Sequence, residues 1–331
     1  MVTNELASLC YQLYHHLLKG ELKKQTRDDL GISIANILKQ GIQFSDSSSH
    51  FNNDVDHALV TQLRERGYAC LDNLLNDKEI EVLYQYFQDK KLQCVLKDKK
   101  IHCHFSKIPS HVDSASYNQT DIQLCPIFYA IAHNLRLLSI AENYLGAPPT
   151  IGGIDCRWAF KSDKITRGDQ MFHHDRDDFR SLKLFVYLTD TDGNNGAHVY
   201  VERSHEYSIL KNYVDNEFFD DIELASSFWQ WIEKHRKKDI EIERFFDKSM
   251  LKTHIGKRGT AFFEDTRGFH KGPPLLKGKR WLFQMLYTLV PVVPFSISQK
   301  YEPVKRSDIQ GHSNIRLNDK MKFSTRMYYI D

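Results

Sequence analysis

Apolar positions recur at helical spacing near the N-terminus, where Leu6, Leu9, Leu13 and Leu17 fall on one face of a helix over residues 5–18. Glu21 to Lys39 keeps a helical composition, with Ile32, Ala35, Ile37 and Leu38 placed to cover a neighbouring surface. The polar run Ser45–Asp54 then reads as a linker, which makes residues 1–50 an N-terminal helical extension. A new unit opens near Asp56. His57–Arg66 reads as an amphipathic helix ended by Gly67, Tyr68–Leu71 as a strand, and Asp77–Gln88 as a helix with Ile80, Leu83 and Phe87 on one side. Residues 127–145 form a further helix, stopped by Gly146 and Pro148–Pro149.

After Pro149 the pattern changes. Ile154–Phe160, Leu182–Thr189, Ala197–Glu202, Thr260–Glu264 and Arg280–Val290 are rich in aromatic and β-branched residues and read as strands. Residues 207–255 interrupt the series with a polar, aromatic-dotted helical insertion, and 295–331 form a charged C-terminal tail. Helices first and strands later, without βα alternation, favour a helix-supported antiparallel sandwich over a parallel sheet.

Forty-five Lys and Arg against 43 Asp and Glu leave a formal charge of +2, too little to argue for a nucleic-acid partner. No apolar run approaches the roughly 20 residues that span a bilayer, and the N-terminus lacks a secretory pattern, so a cytoplasmic protein is expected. The six cysteines are scattered without a CxxC pair, which fits reduced thiols. Cys103 lies between His102 and His104, but no second matching cluster accompanies it.

The chemistry concentrates in Gln170-Met171-Phe172-His173-His174-Asp175. Alternate residues of extended backbone point the same way, so His173 and Asp175 could converge on one ion while His174 faces away. An Fe(II) oxygenase needs two neutral imidazoles and one carboxylate on one face of the metal, with the opposite positions open. His270, in a Gly/Pro-rich turn after a strand, supplies the second imidazole. Ten residues on, Arg280 opens a largely apolar strand, where a guanidinium calls for a carboxylate partner. Lys183 also opens an apolar strand and could help position an anionic cosubstrate or the substrate. Tyr187 and Gln284 could reach a pocket or be satisfied core polar groups. Asp177 and Asp178 read as a solvated rim. Arg267 reads as an anion-binding residue or a surface salt bridge, and His198, Arg203, Arg267 and Lys271 as candidates for an anion-friendly entrance.

Over residues 56–294 the sequence resembles the phytanoyl-CoA dioxygenase family of Fe(II)/2-oxoglutarate oxygenases. The resemblance rests on Arg66-Gly67-Tyr68-Ala69-Cys70-Leu71-Asp72, Phe172–Asp175, Lys183–Thr189, Asn195-Gly196, Arg203-Ser204-His205, Asp265–His270 and Arg280. It implies a mainly β chain with supporting helices around a double-stranded β-helix core (jelly roll, cupin-like). It also implies Fe(II) held by His173, Asp175 and His270, and 2-oxoglutarate held by Arg280; Lys183 is a second candidate for 2-oxoglutarate on its strand position alone. O2 and a small-molecule or lipid-like substrate complete the expected reaction, which releases succinate and CO2. The resemblance makes His205 a structural residue. Val199–Glu202 departs from the family's usual Pro-Gly turn, and the insertion at 207–255 lengthens the interval between Asp175 and His270; both leave the substrate open. Two rival readings are a non-catalytic binding protein that keeps the fold, and a cupin-like isomerase or hydrolase using the same three residues without 2-oxoglutarate.

Overall fold

The structure is a computed structural model that describes residues 4–44, 54–71, 73–96, 99–161, 168–291 and 302–331. The expected linker 45–53 and the side chains of Leu6 and Leu9 lie outside the described residues, as do Asp72 and the start of the tail at 295–301.

Two antiparallel sheets form the centre. The larger contains β1 (Tyr68–Leu71), β2 (Lys91–Leu96), β3 (Lys99–His104), β4 (Ser114–Tyr117), β5 (Thr150–Phe160), β7 (Ser181–Tyr187), β11 (Ala261–Glu264) and β13 (Lys279–Thr288). The smaller contains β6 (Phe172–His173), β8 (His198–Val201), β9 (Arg236–Lys237), β10 (Leu251–His254) and β12 (His270–Lys271). The larger sheet runs β1-β11-β7-β13-β5-β4-β2-β3 and the smaller β10-β8-β12-β6-β9. Successive strands β5, β6, β7 and β8 alternate between the sheets, so β5-β13-β7-β11 lies across from β6-β12-β8-β10. That connectivity is a double-stranded β-helix, the jelly-roll core expected above.

Three apolar layers follow from the alternation of side chains along the strands. The outer face of the larger sheet carries Trp158, Trp281 and Phe283. These pack with Phe87 and Phe128 from α4 (Asp77–Phe87) and α6 (Pro126–Ala132), and the Trp158 and Trp281 rings stack 5.1 Å apart. Phe185, Tyr187, Phe262 and Leu282 fill one end of the space between the sheets. The outer face of the smaller sheet, with Phe172, Val201 and Phe269, is covered by Leu210, Phe228, Ile242 and Phe245. Those four come from residues 207–255, which fold into α8 (Tyr207–Glu217), α9 (Ile222–Trp231) and α10 (Asp239–Phe245) and also donate β9 and β10.

The helix read over 127–145 is two helices, α6 and α7 (Leu135–Leu145), broken at His133–Asn134, where the Asn134 side chain caps α7. Gly146 ends α7 at φ +89°, a left-handed conformation that favours glycine. Strands β2–β4 were not anticipated: their polar, short segments carry little period-2 signal.

The N-terminal helices hold a second surprise. In α2 (Lys24–Gly41) two of the expected covering residues, Ala35 and Leu38, do pack on the core, but Ile32 and Ile37 are exposed, while Lys24, Arg27, Asp28 and Gly31 are buried. The inward stripe is polar because it docks on charged groups of the central domain. Asp28 accepts from Arg267 Nη1 at 3.1 Å and from the Tyr207 amide at 2.6 Å; Arg27 lies 3.5 Å from Glu233. Gly31 permits the approach, since a Cβ there would sit 2.5 Å from Arg180 Cγ and 3.0 Å from the Phe179 carbonyl. No helix among the described residues is long and apolar enough to cross a membrane.

Candidate metal centre

Strands β6 and β12 are neighbours, and their register places His173 opposite His270. The two imidazole rings lie 4.2 Å apart between centroids. Asp175, two residues beyond His173, is tied to the loop before β12 by its amide, which donates to the Thr266 carbonyl at 2.7 Å. Its carboxylate thus meets both histidines, with Oδ1 3.6 Å from His173 Nε2 and Oδ2 3.7 Å from His270 Nε2.

Tautomer and charge suit a cation. His173 Nδ1 donates to the Met171 carbonyl at 2.9 Å and His270 Nδ1 to the Gly268 carbonyl at 3.0 Å, so both Nε2 lone pairs are free to coordinate. Burial, with His270 alongside, holds His173 down to about 4, and burial also lowers His270. For Asp175 burial opposes ionisation, but Lys183 and then the two histidines outweigh it and hold the carboxyl well below its usual range. Two neutral imidazoles beside one carboxylate form the donor set a 2-His-1-carboxylate iron site requires.

A second cluster, His198, Glu264 and His270, also brings three donors together. It is a closed one. Glu264 is fully buried, and its Oε1 lies 2.9 Å from His198 Nε2 and its Oε2 3.6 Å from His254 Nε2. His198 and His270 border a cavity of about 850 Å³ between the sheets but Glu264 does not, whereas His173, Asp175 and His270 all border it. All three donors of that set therefore face the space a substrate would fill. Cys103 and its flanking histidines belong to no such cluster among the described residues.

Arg280 borders the same cavity, 8% exposed, and its Nε and Nη1 have no hydrogen-bond partner. Burial lowers its pKa to about 10, while Tyr187 nearby works the other way. A buried guanidinium without an acceptor is costly, which marks a place for an anion. Lys183 stands differently. Its ammonium is 2.6 Å from Asp175 Oδ2 and 3.3 Å from Asp177 Oδ2, so two carboxylates already engage it.

Several other residues sit where the sequence did not place them. Asp177 and Asp178 are buried, not a solvated rim: Asp177 pairs with Lys183, and Asp178 accepts from the Phe179, Leu289 and Val290 amides. Burial pushes Asp178 up to about 7 against those bonds. Arg267 is buried and bound to Asp265 and Asp28, so it is neither a surface bridge nor free for an anion. Of the four entrance candidates only His198 borders the cavity, and Lys271 pairs with Asp239 of α10. His174 turns from the cavity towards Phe269, His205 bonds the Arg64 carbonyl, and Tyr187 donates to the His254 carbonyl as a satisfied core group. Gln284 does border the cavity, with Asp155 and Arg157 of β5 and with His235 and Arg236 of the insertion. Sequence alone does not single out those last four: a charged side chain on a strand reads as solvent-facing until its cross-strand neighbours are known, and His235 lies in a bend outside any periodic element.

No protein-family model matches the chain, and no curated protein matches it. Solved structures do. The non-haem α-ketoglutarate-dependent epimerase SnoN from nogalamycin biosynthesis is 15% identical, covers 70% of this chain and 82% of its own, and gives a TM-score of 0.46. EvdO2 from Micromonospora carbonacea var. aurantiaca, complexed with 2-oxoglutarate, is 16% identical over 71% of this chain and 91% of its own, at a TM-score of 0.44. EctD from S. alaskensis, with 2-oxoglutarate and 5-hydroxyectoine, is 16% identical over 74% and 81%, at 0.43. Likeness at this level leaves the weight on the geometry of the site itself.

Proposed function

We propose that the protein is an Fe(II)- and 2-oxoglutarate-dependent oxygenase that hydroxylates a small molecule. The observation that carries this reading is one cavity bordered by three convergent donors, His173, Asp175 and His270, and by the unpartnered guanidinium of Arg280. The three donors would hold the iron, and the fork of Arg280 would take the distal carboxylate of 2-oxoglutarate through parallel hydrogen bonds. Bound iron with its cosubstrate supplies oxidation of a C–H bond by O2, coupled to conversion of 2-oxoglutarate into succinate and CO2.

The chain's own work is positioning. The Met171 and Gly268 carbonyls fix the two imidazole tautomers, Lys183 steadies the Asp175 carboxylate, and the two sheets exclude water from one end of the cavity. The five described cysteines are free thiols, which supports a reducing, cytoplasmic setting. The contact of Lys183 with Asp175 favours one rival, a binding protein that keeps the fold with a lysine quenching the metal carboxylate. Succinate formation from 2-oxoglutarate by the Fe(II)-loaded protein, with and without a substrate panel, tests the proposal. Weak Fe(II) binding with no succinate under any condition would select the rival.

A further inference from the structure

Beyond the metal-binding residues, the cavity has a floor made by the inner face of the larger sheet. Along β13, Trp281, Phe283 and Met285 turn to the aromatic core, while Arg280, Leu282 and Gln284 turn to the cavity. Register sets Gln284 opposite Asp155 and Leu282 opposite Arg157 on β5, and continues from Arg157 to Ser116 on β4 and from Ser116 to Gln93 on β2. The floor therefore presents a polar row of Arg157, Ser116 and Gln93 across three adjacent strands, with the Gln284–Asp155 pair beside it.

Three of these side chains form a closed set. Arg157 Nη2 donates to Gln284 Oε1 at 3.1 Å, Gln284 Nε2 donates to Asp155 Oδ2 at 3.3 Å, and Arg157 Nε lies 3.4 Å from the same oxygen. The set holds itself in place and is neutral overall. Its three contacts leave Asp155 Oδ1 and Arg157 Nη1 unused within the set, and both residues border the cavity. Leu282 and Phe185 adjoin it and offer an apolar surface to a carbon skeleton.

From this arrangement we propose that the cavity takes an uncharged, polyhydroxylated small molecule, seated on Asp155, Arg157 and Gln284. The proposal rests on the oxygenase reading for its chemistry, but its recognition chemistry stands on the floor alone. A hydroxyl both donates and accepts, so neighbouring hydroxyls can satisfy the acceptor of Asp155 and the donors of Arg157 and Gln284 together. A long acyl chain would cover these groups without offering partners, which is the expensive way to bury them. A strongly charged substrate would meet one wrong partner in the Asp155–Arg157 pair whichever its sign. At about 850 Å³ the cavity exceeds the need of a five-carbon dicarboxylate and leaves space for a second ligand.

The test uses the full chain loaded with Fe(II) under anaerobic conditions. Saturation-transfer NMR reads binding of myo-inositol and glucose, with decanoyl-CoA as the lipid-like probe, while calorimetry on the same samples reads 2-oxoglutarate affinity. The expected result is polyol binding by wild type, weakened about tenfold or more in Arg157→Met and in Gln284→Met, with 2-oxoglutarate affinity unchanged. Either variant suffices if the other fails to fold. Binding of 2-oxoglutarate without polyol binding would overturn the inference, as would decanoyl-CoA binding in their place or polyol binding indifferent to both substitutions. Polyol binding without 2-oxoglutarate binding would sink the oxygenase reading and leave the polyol seat standing; failure of both ligands would overturn both.

Discussion

Arg267 clasps both carboxylate oxygens of Asp265, with Nε at 3.0 and 3.1 Å and Nη2 at 2.5 Å, and so makes Asp265 unavailable to Arg280. A core acid paired with Arg280 would make it a strand-to-strand clamp, and Asp265 is committed to Arg267 instead. With that role taken, the buried guanidinium on the cavity wall needs a partner from outside the chain.

Arg280→Ala is therefore expected to weaken 2-oxoglutarate binding by roughly 2–5 kcal/mol, about 30-fold to several thousandfold. Arg280→Lys should weaken it less, because an ammonium keeps the charge but loses the fork. Iron affinity should survive in both, and the alanine variant should melt no lower than wild type, since it removes an unpaired buried cation. Calorimetry on the anaerobic Fe(II) form, with a melting curve for each variant, decides it. An unchanged dissociation constant in a folded variant would end this role for Arg280.

The metal prediction follows from the geometry of β6 and β12. His173→Ala and His270→Ala should each abolish tight Fe(II) or Co(II) binding, whereas His174→Ala should retain it, because that ring lies against Phe269 and outside both donor clusters. Absorbance titration with Co(II) reads all three. Equal affinities would remove the assignment. Glu264→Gln serves as a fourth arm: if the closed cluster were the metal site, this variant would lose the ion and Asp175→Asn would not.

How far the sequence reaches is visible in these same residues. His173 and Asp175 were legible because period-2 geometry forces alternate side chains together near the end of a strand. His270 and Arg280 lie about a hundred residues away, and their pairing with β6 and β5 is a property of the sheet order, which local periodicity does not encode. The buried acids were misread for a related reason. Asp178 looked solvent-facing, yet three amides reach it, one from its neighbour Phe179 and two from residues 289 and 290 beyond β13. On helix α2 only Ala35 and Leu38 were legible; it also turns Lys24, Arg27 and Asp28 inward because its dock is ionic, and charged residues carry no hydrophobic signal.

The docking of α2 carries its own consequence. Asp28 meets both Arg267 and the Tyr207 amide inside the protein, and Arg267 in turn holds Asp265 and the Phe179 carbonyl. Asp28→Ala leaves a buried guanidinium short of one carboxylate and should cost about 3 kcal/mol of stability. Chemical denaturation measures it. A loss under about 0.5 kcal/mol would mean that α2 sits loosely and that Arg267 is satisfied without it.

Stability should also respond to acid through His133, which joins α6 to the C-terminal helix α11 (Asp319–Thr325). His133 is 2% exposed; its Nδ1 donates to the Tyr129 carbonyl at 2.8 Å, and its Nε2 lies 3.1 Å from Thr325 Oγ1. Burial lowers its pKa to about 4 against an ordinary value of 6.5, with the Tyr129 bond opposing the shift only in part. The sign follows from which state binds the proton. Between pH 6.5 and 4 the unfolded chain is protonated at this residue and the folded chain is not, so acid favours unfolding. The contribution is fully present above 6.5 and is lost as pH falls through about 4. At about 1.4 kcal/mol per pH unit it reaches at most roughly 3 kcal/mol. His133→Gln keeps polar atoms in the same place but cannot take up a proton. The difference in unfolding free energy between wild type and His133→Gln should therefore move in favour of the variant as pH drops from 7 to 4, even though other buried groups tilt both curves. Urea denaturation at intervals across that range measures the difference directly. Parallel curves would show that His133 is charged in the folded protein or already shielded in the unfolded one, and the acid-sensitive joint would have to be sought elsewhere.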